Sequence, residues 1–218
     1  MTTMKEYTWY LFDVDGTLID TTELIYQCFL YSCKKFANMN IDRALVMQYT
    51  GIPLRKQFEV YLGPLSNDRA EEVAAGHMEY QLSIYQNHLK LFPHVKETLQ
   101  HLIEQKKHCA VVTSRMPKTL DLYLKELGIY DCFEVLISPL DTREHKPNPQ
   151  PALEALRRMG ADKKTSIMIG DSVFDIQCGQ AAGIDTALIT WDGAMPDMKS
   201  INPTFLINDI REVSHPAA

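Results

Sequence analysis

The chain has 218 residues, 45% hydrophobic and 23% charged, which is enough to bury a core without disulfide or metal support. Its 22 basic and 28 acidic residues leave a formal net charge of −6, which argues against a nucleic-acid partner or an anionic membrane surface. Five cysteines at irregular spacing, no leader-like segment before Trp9 and no apolar run of bilayer length point to free thiols in a cytoplasmic protein, with no membrane.

Residues 9–14 form a short apolar run ended by Asp15 and Gly16, the pattern of a strand buried on both faces. The stretch from about 20 to 91 is helical in pattern and holds no strand. Its predicted helices span 22–37, 41–49, 54–62 and 66–88, with Ser66 as an N-cap followed by Asp68, Glu71 and Glu72. Phe29, Tyr31 and Phe36 read as core of this unit. A crossover between parallel strands needs only a dozen or more residues, so this stretch reads as an insertion, closed by short segments at 18–20 and 91–93.

Beyond it the periods alternate. Val95, Leu99, Leu102 and Ile103 form a helical stripe, and 109–113 reads as a strand in which Cys109 is a small buried hydrophobe. Leu120, Leu124 and Leu127 form a second stripe stopped at Gly128, before a strand at 135–138. Leu153, Leu156 and Met159 form a third, stopped at Gly160. Strands at 166–169, 186–190 and 205–207 come next, and 213–218 reads as a loose tail. The expected fold is α/β, a doubly wound parallel Rossmann-like sheet made of 1–19 and 92–218, with an inserted all-helical cap domain at 20–91.

Ligands in open α/β sheets bind outside the carboxyl ends of the strands. The first strand leads into Asp13, Val14, Asp15, Gly16 and Thr17, the second into Thr113, Ser114 and Arg115. The third leads, at a distance, to Lys146 and Pro147, the fourth to Gly170, Asp171, Ser172 and then Asp175. Crowded carboxylates repel and raise one another's pKa, and a divalent cation relieves this. Magnesium suits one or two carboxylates completed by water and phosphate oxygens, and a lysine with hydroxyls supplies further grips for phosphate. An aspartate can act as a nucleophile on phosphorus.

These four segments, in this order, resemble the four motifs of the haloacid dehalogenase-like superfamily, over essentially the whole chain. The resemblance implies that Asp13 is a nucleophile forming an aspartyl-phosphate and that Asp15 is the general acid and then base. It implies magnesium held by the Asp13 carboxylate, the Asp15 carbonyl and Asp171, with Asp175 as a supporting acidic residue. It implies phosphate binding by Thr113, Ser114 and Lys146, close backbone approach at Gly16, and a turn locked by Thr17. Haloacid dehalogenases lack an acidic residue at the position of Asp15, so phosphoryl chemistry is expected. Residues 11–20, 146–156 and 170–191 are most similar to phosphoglycolate phosphatases and related pyrophosphatases. Arg55, in a segment 50–55 resembling a cap specificity loop, is a candidate contact for the leaving group. Arg115 reads as a solvated surface residue. No H-E-x-x-H pattern is present, and no zinc site is expected.

The expected activity is magnesium-dependent hydrolysis of a small anionic phosphate ester, phosphoglycolate first. The alternatives are a pyrophosphatase, a phosphomutase or a non-catalytic phosphate-binding protein. A monomer or weak homodimer is expected.

Overall fold

The computed structural model describes residues 4–191, 193 and 198–214. In chain order the elements begin with β1 (Trp9–Phe12), β2 (Ile19–Asp20), α1 (Thr22–Ala37), α2 (Arg43–Gln48), α3 (Leu54–Leu62), α4 (Asn67–Ile84) and β3 (Lys90–Leu91). They continue with α5 (Val95–Glu104), β4 (His108–Val112), α6 (Pro117–Glu126), β5 (Val135–Ile137) and α7 (Gln150–Met159). The last are β6 (Ser166–Gly170), α8 (Val173–Ala182), β7 (Asp185–Ile189) and β8 (Phe205–Ile207).

Six strands form one parallel sheet in the order β5-β4-β1-β6-β7-β8. The chain runs from β1 outward to β4 and β5, then returns to β6 on the other side of β1. That reversal is the topological switch point where such sheets bind ligands. Phe12 is level with both Val111 and Ile169, so the segments leaving β1, β4 and β6 emerge side by side.

Alternation along the strands divides the core in two. Tyr10 and Phe12 pack on one face with Val111, Ile167 and Ile169. Leu11 points to the other with Ala110, Val112 and Met168, against Ala152, Ala155 and Ala182 of α7 and α8. The small residues there let both helices lie close to the sheet. The tyrosine and leucines of α5 and α6 fill the wider first face, where Leu99, Leu102, Leu120, Tyr123 and Leu124 are buried.

The four helices between β2 and β3 bury a cluster of their own around Phe29, Phe58, Tyr61 and Val73. Phe29 meets Phe58 and Tyr61 edge-on, with centroids 5.6 and 4.8 Å apart. Tyr31 and Phe36 are only half-buried. The two connections to the sheet domain pair with each other as the antiparallel ribbon β2–β3, a pairing the sequence pattern does not announce because each strand is two residues long.

Several boundaries differ from the sequence reading. The first strand stops at Phe12, and α2 begins at Arg43 because Asp42 caps it, accepting from the Ala44 N–H at 2.7 Å. Ser66 caps α4 as expected, through the Arg69 N–H at 3.3 Å. Ile103 is 43% exposed, since only Val95, Leu99 and Leu102 of its stripe face the sheet. Val213, read as part of a loose tail, is buried at the end of the sheet domain, and 215–218 lie outside the described residues. The five cysteines are unpaired, and four of them, Cys109 included, are buried. Among the described residues no helix is long and apolar enough to cross a membrane.

His77 of α4 is buried beside Phe29 and Phe58, with Nδ1 3.0 Å from the Ser32 hydroxyl. Burial, with a smaller push from the charge of Arg115, lowers its pKa to about 3. The unfolded chain takes up this proton near its ordinary pKa of ~6.5, so it binds more protons than the folded chain below that value. Stability should therefore fall by roughly 1.5–2 kcal/mol between about pH 6.5 and 5 on this account alone. Urea unfolding of His77→Gln should show a flatter pH slope over that window, and an unchanged slope would refute the assignment.

Candidate active site

The site is built where β1, β4 and β6 end. Asp13 comes directly after β1, and its N–H still donates to the Ile169 carbonyl of β6 at 2.9 Å. The next turn depends on Gly16, which has φ +82°, and a Cβ there would stand 2.2 Å from Asp171 Oδ2. Only glycine allows the two strand-end loops to approach this closely. Trp191, after β7, donates from Nε1 to the Gly16 carbonyl at 3.0 Å and stacks on Phe92 with ring centroids 4.4 Å apart. Thr17 donates to Asp171 Oδ1 at 3.2 Å, so it ties the turn to the neighbouring loop.

Lys146 lies behind Asp13, only 3% exposed. Its ammonium donates to Asp13 Oδ1 at 2.7 Å, Asp175 Oδ1 at 2.5 Å and the Val112 carbonyl at 3.2 Å. An ammonium has three protons, and here three protein oxygens take them. In this arrangement Lys146 supports two carboxylates. Burial alone would lower its pKa, but Asp13 and Asp175 raise it well above its ordinary value. Asp175 is fully buried, and its Oδ2 accepts from the Ser172 N–H at 3.1 Å and the Ser172 hydroxyl at 2.5 Å. Ser172 in turn caps α8 through the Asp175 N–H. With both oxygens committed to the protein, Asp175 acts as a support for Lys146 and the α8 cap.

Asp15 and Arg115 form a second pair. The guanidinium grips the carboxylate with Nε to Oδ2 at 2.8 Å and Nη2 to Oδ1 at 2.6 Å, and Thr21 donates to Oδ1 at 2.6 Å. Arg115 is 9% exposed and lies over the Tyr123 ring at 4.6 Å. This corrects its reading as a solvated surface residue: a half-enclosed carboxylate needs a counter-charge, and the planar fork of arginine fits one bidentately. Neither Thr21 nor Trp191 is visible as a site residue in the sequence, since each acts across a distance only the fold closes.

Thr113 accepts the Arg115 N–H at 3.1 Å, which leaves its hydroxyl proton to donate elsewhere. The Ser114 hydroxyl donates to the Gly51 carbonyl of the helical unit at 2.6 Å, pinning the 50–52 loop over the strand ends. The loop and the strand ends enclose a cavity of about 90 Å³. Its floor is formed by Asp13, Asp15, Thr113, Ser114 and Asp171. Arg55 is not among its lining residues. The start of α3 turns it outward, half-exposed, to Asn67 at 2.8 Å and Glu59 at 3.4 Å, beside an adjoining apolar groove.

Asp13, Asp171 and Asp175 each offer an oxygen within 4.8 Å of the others. Burial, against the pull of Lys146, pushes the Asp13 carboxyl up to about 7, with Asp175 and Asp15 adding to the rise. Burial, then Asp175 and Asp13, raises Asp171 well above the usual carboxylate range. Four carboxylates here face the two cations Lys146 and Arg115. Asp13 Oδ2 and Asp171 Oδ2 accept no hydrogen bond among the described residues and are the oxygens left for a cation. This donor set suits a hard divalent ion with oxygen ligands.

Comparison with known proteins agrees with this geometry. A family model for haloacid dehalogenase-like hydrolases matches residues 10–189. The chain belongs to that family. Among its relatives, the pyrophosphatase PpaX of Oceanobacillus iheyensis is 31% identical over 206 residues, 93% of either chain. The pyrophosphatase PpaX of Halalkalibacterium halodurans is 30% identical, again over 93% of each. Among solved structures, a predicted phosphoglycolate phosphatase from Haemophilus somnus superposes with a TM-score of 0.84 at 24% identity, over 96% of this chain and 97% of that one. A haloacid dehalogenase-like hydrolase from Streptococcus pneumoniae gives 0.80 at 24% identity, over 96% and 98%. These two likenesses show the shared fold.

Because Lys146 is buried between two carboxylates, removing it leaves both uncompensated. Lys146→Met should lower stability by about 3–5 kcal/mol in urea unfolding without divalent cation. Adding Asp175→Asn to it should recover part of that loss, and a fully additive double variant would refute the coupling.

Proposed function

We propose that the protein is a magnesium-dependent phosphatase that hydrolyses a small phosphomonoester through an aspartyl-phosphate on Asp13. The observation that carries this reading is the state of Asp13. One carboxylate oxygen is held by Lys146, and the other is unpartnered on the cavity floor. Family membership supports the same chemistry.

The work is divided among a few residues. Magnesium would be held by the carboxylates of Asp13 and Asp171 and the backbone carbonyl of Asp15, and when bound it supplies neutralisation of the phosphoryl oxygens. The free Asp13 oxygen attacks phosphorus, the bond from phosphorus to the leaving oxygen breaks, and Asp15, which enters this step protonated, gives that oxygen its proton. Water then attacks the aspartyl-phosphate while Asp15 takes a proton from it, which releases phosphate and restores the Asp13 carboxylate. Lys146 keeps Asp13 ionised and offsets the charge brought by the phosphoryl group. The Thr113 hydroxyl and the Ser114 N–H bind phosphoryl oxygens. Arg115 and Thr21 set where Asp15 sits. The 50–52 loop, pinned by Ser114, excludes bulk water.

The relatives named pyrophosphatases support a second reading, in which the leaving group is itself a phosphate. Phosphoglycolate is the corresponding monoester candidate.

Hydrolysis of a generic ester such as para-nitrophenyl phosphate should need added magnesium and be abolished by chelation. Asp13→Asn should lose more than about 10³-fold in kcat, and activity surviving that change would remove Asp13 as the nucleophile. Arg115→Met should lower kcat by roughly 10–100-fold with KM nearly constant, because it displaces the proton donor and not the phosphate grip. A change confined to KM would place Arg115 in substrate binding instead.

A further inference from the structure

Gly16 is the most freely rotating link in the strand-end loops. It stands between Asp15 and Thr17 with φ +82°, a conformation that glycine enters and leaves at little cost. The turn's own backbone holds it on one side. The Gly16 N–H donates to the Ile19 carbonyl at 2.9 Å, and the Leu18 and Ile19 N–H groups both donate to the Val14 carbonyl, each at 2.9 Å. The other side depends on a side chain from elsewhere. Among the described residues the Gly16 carbonyl accepts from one group, the Trp191 indole N–H at 3.0 Å.

We infer that Trp191 is a positioning residue for proton transfer by Asp15: its indole N–H holds the Gly16 peptide, and with it the backbone that carries the acid. The inference rests on the phosphatase reading and adds a residue to its machinery.

The indole is itself held in place. Thr190, the residue before it, donates its N–H to the Ile207 carbonyl of β8 at 2.9 Å. The ring lies flat on Phe92, with centroids 4.4 Å apart and 4° between the planes. Phe92 donates its own N–H to the Leu18 carbonyl at 3.0 Å, so the ring that supports the indole is tied to the same turn that the indole grips. Stacking fixes the indole plane, and an indole has a single N–H, which lies in that plane and donates in one direction.

The turn joins two working carboxylates. Arg115 and Thr21 hold the Asp15 carboxylate, but its backbone continues directly into Gly16. Thr17, on the other side of Gly16, donates to Asp171 Oδ1 at 3.2 Å. Rotation of the Gly16 peptide therefore shifts the acid against the Asp171 loop, and proton transfer is sensitive to misplacement on the scale of an ångström. Asp13 does not share this dependence, because its N–H is fixed by the Ile169 carbonyl and its Oδ1 by Lys146. Loss of the indole N–H should thus weaken protonation of the leaving group and spare attack on phosphorus.

The test compares kcat/KM for 2-phosphoglycolate, phenyl phosphate and para-nitrophenyl phosphate at saturating magnesium. An alkoxide needs a proton in order to leave, phenolate needs it less, and para-nitrophenolate leaves without one because the nitro group takes up its charge. Trp191→Phe keeps a ring on Phe92 and removes the donor. It should lower kcat/KM about tenfold or more for 2-phosphoglycolate, less for phenyl phosphate, and no more than about threefold for para-nitrophenyl phosphate. Equal losses on all three would overturn the inference and leave Trp191 a structural residue, and so would unchanged activity on all three. Phe92→Leu, which frees the indole but keeps its N–H, should give the same order of losses in weaker form, and it carries the comparison if Trp191→Phe does not fold. Turnover of para-nitrophenyl phosphate alone by the unmodified protein would also overturn the inference, because no proton donor would then be at work. Turnover of none of the three would overturn the phosphatase reading itself, and the role of Trp191 with it.

Discussion

A single buried ammonium holds the site together. Lys146 arrives on the loop after β5 and places its three protons on Asp13, Asp175 and the Val112 carbonyl. Those acceptors belong to the segment after β1, to α8 and to β4. The charge is so enclosed that it is tolerable only because every proton is taken and two carboxylates face it. Asp175, once fixed by Lys146, fixes Ser172 and hence the start of α8. Asp13, once fixed by Lys146, has one oxygen turned to the cavity. The order of the sheet makes this possible, since β4 and β6 flank β1 and bring their ends level with it.

Charge in the site is unbalanced. Two cations do not match four carboxylates, and burial together with the neighbouring carboxylates raises the pKa values of Asp13 and Asp171. A divalent cation would restore the balance. The helical unit contributes the reverse character: amides, a neutral imidazole and apolar carbon over the acidic floor. In the proposed reaction the sheet domain addresses the phosphoryl group. The hydrogen bond from Ser114 to Gly51 joins the halves through a residue that serves both.

Much of this is legible in the sequence, and the limits come from range. The strands announce themselves because a strand covered on both faces must be continuously apolar, as in the residues around Tyr10, Ala110 and Met168. The excess length between the first two long strands reveals the inserted helices. Asp13, Asp15, Thr113, Ser114, Lys146, Asp171 and Asp175 stand out by their position beyond the strand ends, and the fold does bring them to one rim. Arg115 escapes such reasoning because a charged residue after a strand is usually solvated, and the counter-charge that buries it, Asp15, is 100 positions away. The two carboxylate partners of Lys146 cannot be counted from spacing, because Asp13 and Asp175 lie 133 and 29 positions away. Arg55 is drawn toward the site by its loop, but the direction in which α3 leaves that loop carries it outward.

The class of fold, the insertion and the residue types that gather at the strand ends are dictated by the amino-acid sequence alone, because hydrophobic period and strand-end position are local properties of the chain. Three-dimensional packing selects which groups neutralise one another and which remain free. Pairing of Lys146 with Asp175 and closure of Asp15 by Arg115 depend on distances of a few ångströms between residues far apart in sequence. Electrostatic and hydrogen-bond energies change steeply over such distances, so chemistry that the sequence names by residue type is assigned to particular atoms only by packing.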